Sequence, residues 1–535
     1  MGAKWLVLAG GLLLAACQQG DDGIRADAAD AASTAISTTD GLIAVNAPDE
    51  NGIRAYKGIP FGAPPVGENR WREPQPVAHW DGERRFTDFG DVCVQPKGRG
   101  RLNVSVDLPD SPKASEDCLY LNVWTGAAKG DRKPVMVWIF GGAYTEGAGS
   151  SPHNWGHTLA QKDVVVVTFN YRLGPFGFFA HPALAADSGH NASGNYALMD
   201  AIAALQWVRD NIAEFGGDPG NVTIFGESAG AAMVAGLTGS PLASGLYQRA
   251  ISESGAWMGL GMAPMRPQAE TEALGKEMAD KIGAATAQDL RALSEEEVTG
   301  NLRGFGMMID GWVVPEDLSI TFAEGRQNKV DVLTGTNRDE GSFLPGAPPP
   351  EAWRQQIRTR WGDLADRFLA LYPSATPEET LDSARRLFSD EMEWHNRLFA
   401  ERQAAIGQKA YLYYFTHEPH GDPAKRDLKA THTAEIPYVF NNLVPPRVYP
   451  DSSSPELNAK DPVEIRLADE ISDYWVNFAA TGDPNGDGLP RWPQVDEMGP
   501  GEAMVLDVKK GVEQVIAPEK LALFDALYAR QMGQE

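Results

Sequence analysis

The chain has 535 residues, 43% hydrophobic and 22% charged, the balance of an ordinary globular protein. Its formal net charge of −26 argues against nucleic-acid binding and against broad adsorption on anionic lipid, since both surfaces would repel it. There are three cysteines and no CxxC or Cys/His cluster, so the sequence carries no metal-site signature.

The first residues carry a positive charge at Lys4. An apolar run follows, Trp5 to Ala16, too short to cross a bilayer comfortably, and it ends in Leu14-Ala15-Ala16-Cys17. This pattern resembles a bacterial lipoprotein signal, with residues 1–16 removed and Cys17 lipidated, leaving an acyl anchor on an otherwise soluble protein. The simpler alternative is an ordinary secretory signal cut near Ala16. Residues 17–39, rich in Ala, Asp, Ser, Thr and Gln, then read as a flexible tether. The expected location is the bacterial outer membrane or the periplasm, with membrane contact only through the N-terminal anchor. If Cys17 carries lipid, Cys93 and Cys118 remain as an even pair. Export suits a disulfide, which would contribute about 3 kcal/mol on the chain-entropy model.

Residues 40–535 read as one domain, without an internal repeat or a mid-chain linker. Ile53 to Pro60 opens it. Val135 to Phe140 and Val164 to Phe169 are continuous apolar runs, suited to strands covered on both faces. The first of them ends in Gly141-Gly142-Ala143. Ala197 to Phe215 has helical apolar spacing and is stopped by Gly216-Gly217-Asp218-Pro219. Strands are expected next at Val222 to Phe225, Arg249 to Ser252, Val330 to Thr334 and Tyr411 to Phe415, and a long helix over Val463 to Ala479. Residues 260–325 and 345–405 look helical and amphipathic, and read as excursions covering the active-site end. Such alternation predicts an α/β protein with a mixed, mostly parallel central sheet and helices on both faces.

The chemistry centres on Gly226-Glu227-Ser228-Ala229-Gly230, which lies between a strand and a stretch of small residues. A serine in such a turn takes a strained backbone conformation that presents its hydroxyl above the sheet edge. A hydroxyl is a poor nucleophile unless a histidine takes its proton and a carboxylate orients that histidine. In α/β-hydrolases the acid and then the histidine follow the serine in the chain. Asp339 and Glu340 both suit the acid, and their local sequence does not separate them. His395 lies in a helical stretch and reads as packing. His417 and His420 lie in a turn-rich segment that looks solvated. His432, between a polar loop and the apolar run Ile436 to Phe440, is the best placed of the four. Backbone amides at Gly141-Gly142-Ala143 and at Ala229 could stabilise an oxyanion, each donor being worth roughly 3 kcal/mol in the transition state. Asp483 to Gly488 resembles the start of a calcium loop, but Gln494 stands where that loop needs glutamate, so a plain turn is expected.

The chain also resembles the type-B carboxylesterases, the family that includes bacterial para-nitrobenzyl esterases and animal cholinesterases. The matching stretches are Gly58-Ile59-Pro60-Phe61-Gly62-Ala63-Pro64-Pro65-Val66-Gly67, Ser115-Glu116-Asp117-Cys118-Leu119-Tyr120-Leu121-Asn122-Val123, Phe169-Asn170-Tyr171-Arg172-Leu173-Gly174, Phe215-Gly216-Gly217-Asp218-Pro219, the serine pentapeptide, and Phe478-Ala479-Ala480-Thr481-Gly482-Asp483-Pro484. The resemblance implies an α/β-hydrolase fold and a serine carboxylesterase acting on a small-molecule ester without a cofactor. It implies a triad of Ser228, Glu340 and His432, oxyanion amides from Gly142, Ala143 and Ala229, and a Cys93–Cys118 disulfide. Glu227, Ser254 and Glu435 are implied as supports for the histidine and a nearby water. Two features depart from the family. Its usual HGGG or YGGG is Phe140-Gly141-Gly142-Ala143 here, which adds a methyl group near the scissile carbonyl and removes a polar side chain beneath the loop. Residues 94–117 contain no aromatic, so the tryptophan that binds choline in cholinesterases has no counterpart. The rival expectations are the same triad acting on an amide, carbonate or lactone, and a non-catalytic interaction protein on this fold.

Overall fold

A computed structural model describes residues 35–96, 113–261, 264–418, 427–444, 460–529 and 531–532. The expected signal over 1–16, the lipidation residue Cys17 and the candidate His420 lie outside the described residues.

Ten strands form the central sheet: β1 (Arg54–Pro60), β2 (Tyr120–Thr125), β3 (Lys133–Ile139), β4 (Val165–Phe169), β5 (Gly217–Glu227), β6 (Arg249–Glu253), β7 (Asp331–Asn337), β8 (Ala410–Phe415), β9 (Glu502–Leu506) and β10 (Gly511–Gln514). Their spatial order is β10-β9-β8-β7-β6-β5-β3-β4-β2-β1. Strands β3 to β9 run parallel, and antiparallel pairing is confined to the two edges. Every residue of β4, Val-Val-Val-Thr-Phe, is buried, as a strand covered on both faces requires.

Four helices matter for the site: α1 (Tyr196–Asn211), α2 (Ala229–Gly239), α3 (Pro377–Ala405) and α4 (Pro462–Thr481). Successive strand residues point to opposite faces, and β6 shows what covers each. Ser252 Oγ meets the Ala231 carbonyl of α2 at 3.4 Å, while Glu253 Oε1 accepts the Trp475 indole of α4 at 2.7 Å. On the Ser252 face, Thr334 Oγ1 of β7 donates to Asn396 Oδ1 of α3 at 2.7 Å. The long segments between strands are helical as expected, including Gln268–Lys281 and Pro350–Trp361.

Some boundaries differ from expectation. The helical run expected to Phe215 ends as α-helix at Asn211 and tightens to a 3-10 turn over Ile212–Phe215, closed by Gly216 at φ 84°. Part of the segment read as tether is packed onto the body. Ile36–Ser37 pairs with Leu42–Ile43, and the Thr39 amide donates to Asn211 Oδ1 at 2.8 Å. Ile36 is an apolar residue able to pair locally, a signal hidden in the polar composition around it. His417, expected to be solvated, is buried. Its ring lies 3.1 Å from both Glu464 Oε1 and Asp507 Oδ1, because two acids distant in the chain converge on it. The Asp483 loop is an Asx turn, with Asn485 donating its amide to Asp483 Oδ1 at 3.0 Å.

Candidate active site

Strand β5 delivers Glu227 to the C-terminal end of the sheet, and α2 starts at Ala229. Ser228 between them has φ 57° and ψ −123°, a strained conformation that the surrounding packing holds. Its amide donates to the Glu253 carbonyl at 2.9 Å. Gly226 and Gly230 make the turn possible. A Cβ on Gly226 would lie 2.6 Å from the Ile139 carbonyl oxygen, and one on Gly230 only 2.0 Å from it.

His432 places Nε2 2.8 Å from Ser228 Oγ and Nδ1 2.5 Å from Glu340 Oε2. Glu340 starts the turn after β7. Its Oε1 accepts the Thr336 hydroxyl and the Asn337 amide, both at 2.8 Å, so the carboxylate is fixed from behind. Burial alone would push the Glu340 carboxyl up. The His432 ring outweighs burial, helped by Ser254 and the Asn337 amide, and holds it below the usual value. Asp339, its rival in the sequence, turns outward to Arg338 at 2.6 Å. His395 is fully buried in α3, and burial pushes its imidazole down to about 3, which leaves it neutral. Of the candidate histidines among the described residues, the structure brings only His432 to the serine.

The loop after β3 passes beside the serine: a Cβ on Gly141 would come within 3.0 Å of Ser228 Cβ. Gly142, Ala143 and Tyr144 all have positive φ, at 113°, 52° and 61°. Phe140 has no polar side chain to anchor the loop. Instead its ring stacks on Tyr171 at 4.3 Å, and the Tyr171 hydroxyl donates to the Phe140 carbonyl at 2.7 Å. Further along, Gln95 clasps Gly147 from both sides, accepting its amide at 3.1 Å and donating to its carbonyl at 3.0 Å. Gln95 follows Cys93, which is disulfide-bonded to Cys118 with the Cα atoms 5.0 Å apart.

Four buried carboxyl groups surround this centre: Glu227, Glu253, Glu340 and Glu435. Glu227 Oε1 lies 3.2 Å from His432 Nε2. Glu435 Oε2 accepts the Asn337 side-chain amide at 2.5 Å. Burial, then the charges of Glu227 and Glu340, pushes the Glu435 carboxyl up to about 8. Burial, then Glu435, drives Glu253 well above the usual carboxylate range, against the Trp475 indole. So many adjacent acids cannot all ionise in a dry interior. Glu253 was missed in the sequence. The signal was available, since it ends a parallel strand next to the serine strand, where ligand-facing residues gather in such sheets. Among the described residues no cluster of three or more His, Cys, Asp or Glu side chains is arranged to hold a metal, and no helix is long and apolar enough to cross a membrane.

The sequence model of the Carboxylesterase family matches residues 33–524. The chain belongs to the carboxylesterase family. It is 37% identical over 487 residues to a fumonisin B1 esterase of Sphingopyxis macrogoltabida, covering 88% of this chain and 87% of that one. Identity to the para-nitrobenzyl esterase of Bacillus subtilis is 36% over 489 residues, covering 88% and 94%. Among solved structures, a para-nitrobenzyl esterase superposes with TM-score 0.77 at 32% identity, over 91% of this chain and 99% of that one. A Geobacillus stearothermophilus carboxylesterase gives 0.73 at 33% identity, over 92% and 99%. This carboxylesterase therefore has the α/β-hydrolase fold and hydrolyses carboxylic esters.

Proposed function

We propose that this carboxylesterase works through an acyl-enzyme formed on Ser228. The observation that carries the reading is the unbroken chain from Ser228 Oγ through the His432 ring to Glu340, at 2.8 and 2.5 Å. Ser228 Oγ attacks the ester carbonyl carbon as His432 Nε2 takes its proton. Glu340 keeps the other ring nitrogen protonated and stabilises the imidazolium. The carbonyl oxygen, now an oxyanion, lies against the amides of Gly142, Ala143 and Ala229. His432 returns the proton to the leaving alkoxide, and the alcohol departs. Water then repeats the sequence on the acyl-enzyme and releases the acid. Glu227, Ser254 and Glu435 support His432, Glu340 and the attacking water from below. Phe343 and Phe388, with ring centroids 6.0 and 6.4 Å from that of His432, give the histidine side of the site an aromatic wall.

Replacing Ser228 by Ala tests this reading. Turnover of a chromogenic aryl ester should fall by about 10⁴-fold or more, and a fluorophosphonate probe should label the parent protein alone. Undiminished turnover in the variant would refute the reading.

The same proposal places the enzyme at the bacterial outer membrane or in the periplasm. Residues 1–16 act as its signal, and lipidated Cys17 is joined by a tether to the folded domain. Leu14-Ala15-Ala16-Cys17 supports this, as does a disulfide, which oxidising compartments favour. Mass spectrometry of the mature N-terminus tests it.

A further inference from the structure

The loop Phe140–Ser151 is tied to one segment, Thr168–Gly174, at four points. Thr168 Oγ1 donates to the Gly149 carbonyl at 2.6 Å, and the Gly149 amide donates to Asn170 Oδ1 at 2.9 Å. The Gly174 amide donates to the Tyr144 carbonyl at 2.7 Å. These three bonds hold the middle and the return of the loop. The fourth is the Tyr171 hydroxyl on the Phe140 carbonyl at 2.7 Å, and it is the one of the four at the point of departure. The peptide group is planar, so fixing the Phe140 carbonyl fixes the plane it shares with the Gly141 amide. From that plane the chain turns through positive φ at Gly142 and Ala143.

We propose that Tyr171 is a positioning residue for ester hydrolysis: its phenol holds the Phe140 carbonyl and its ring clamps the Phe140 ring, so that the Gly142 and Ala143 amides stay aimed at the oxyanion on Ser228. This rests on the oxyanion reading of that loop given above. Three further observations support it. The Phe140 carbonyl is closed in from the elbow side, where a Cβ on Gly230 would lie 2.7 Å from its oxygen. Gly147 packs directly on the Phe140 ring, where a Cβ would come within 2.4 Å of a ring carbon. Tyr171 is fully buried, and burial pushes its phenol well above the ordinary value, so the donor keeps its proton throughout the range in which an esterase works. Phe140 and Gly141 carry no polar side chain. The tie that a polar residue at position 140 could have made itself is therefore made from the neighbouring strand's extension.

The test compares Tyr171→Phe, Tyr171→Leu and Ser228→Ala in the full-length protein. The substrate is an aryl ester, paired with a trifluoromethyl ketone of matching acyl group. In the ketone adduct Ser228 Oγ bonds to the carbonyl carbon, the π pair becomes the oxyanion, and His432 holds the serine proton, so its inhibition constant reads the oxyanion pocket. Tyr171→Phe keeps the stack and removes only the hydroxyl. Its kcat should fall about tenfold with KM within about twofold, and ketone affinity should fall by the same factor as kcat/KM. Thermal stability should change far less than activity. Tyr171→Leu should lose more of both, and if it does not fold, Tyr171→Phe decides alone. If Ser228→Ala is inactive while Tyr171→Phe keeps its parent kcat and ketone affinity, this proposal is overturned and the catalytic reading stands. A lower melting temperature with ketone affinity unchanged overturns it equally. Activity persisting in Ser228→Ala overturns the catalytic reading and this proposal with it.

Discussion

Asp339 and Glu340 are neighbours in the chain and face apart. Glu340 is fully buried with its carboxylate on His432 at 2.5 Å, whereas the Asp339 side chain is 22% exposed and pairs with Arg338 at 2.6 Å. The two should separate cleanly in activity. Glu340→Gln should lower kcat by about four orders of magnitude, since the amide supports the wrong tautomer of His432. Asp339→Asn should stay within about threefold of the parent, because its partly exposed ion pair with Arg338 does not touch the His432 ring. Steady-state kinetics on both variants would refute the assignment if the losses were reversed.

Glu435 gives the fold a pH dependence with a definite sign. In the unfolded chain its carboxyl ionises near the ordinary value of 4.5, whereas in the folded protein burial and its acidic neighbours raise it to about 8. Between those values the folded state binds the proton more tightly, so this group's contribution to stability falls as pH rises through the window and is constant above it. Glu435→Gln removes the titration. The stability of the variant relative to the parent should therefore increase from pH 5 to pH 8. Thermal midpoints at the two values measure this, and a difference that stays flat or runs the other way contradicts it.

His417 titrates with the same sign at a higher pH, although here it is the charged form that its neighbours favour. Burial lowers its ring, but hydrogen bonds donated to the Asp507 and Glu464 carboxylates, with their charges, outweigh burial and raise it to about 9. A folded value above the unfolded 6.5 means that stabilisation is complete below pH 6.5 and is lost as pH rises through 9. His417→Gln should accordingly destabilise the protein most at pH 6, with the gap to the parent closing toward pH 10. Urea midpoints across that range give the answer.

Ala143 holds φ 52°, where a side chain is strained and glycine is not. Ala143→Gly should relieve the strain and clear the methyl group from beside the scissile carbonyl. Esters of branched alcohols should gain several-fold in kcat/KM relative to esters of primary alcohols. An ester panel with fixed acyl group would show a uniform change instead if the methyl group does not face the alcohol.

Much of this site is legible in the chain because local chemistry dictates it. Gly226 and Gly230 allow a turn that larger residues would block, and Val135 to Phe140 is too uniformly apolar to be anything but buried. The choice between Asp339 and Glu340 is different. It depends on a half-turn of backbone rotation after β7, which no neighbouring residue specifies, and only the resemblance to a family resolves it. His417 is harder still. Its partners Glu464 and Asp507 lie far along the chain, so a histidine in a loop of turn formers looks solvated until the sheet and α4 bring the acids together. Glu253 reads as an ordinary strand end for the same reason: the acids that raise it, Glu435 and Glu227, come from two other segments.

The clasp of Gln95 on Gly147 has a consequence for how the enzyme must be made. The residue that grips the loop beside Ser228 sits two positions from Cys93, whose bond to Cys118 fastens that stretch of chain. The Cys93–Cys118 bond is thereby linked through Gln95 to the catalytic loop. A preparation folded in a reducing cytosol would hold its serine and histidine in place and still turn over slowly, until an oxidant restored the covalent link.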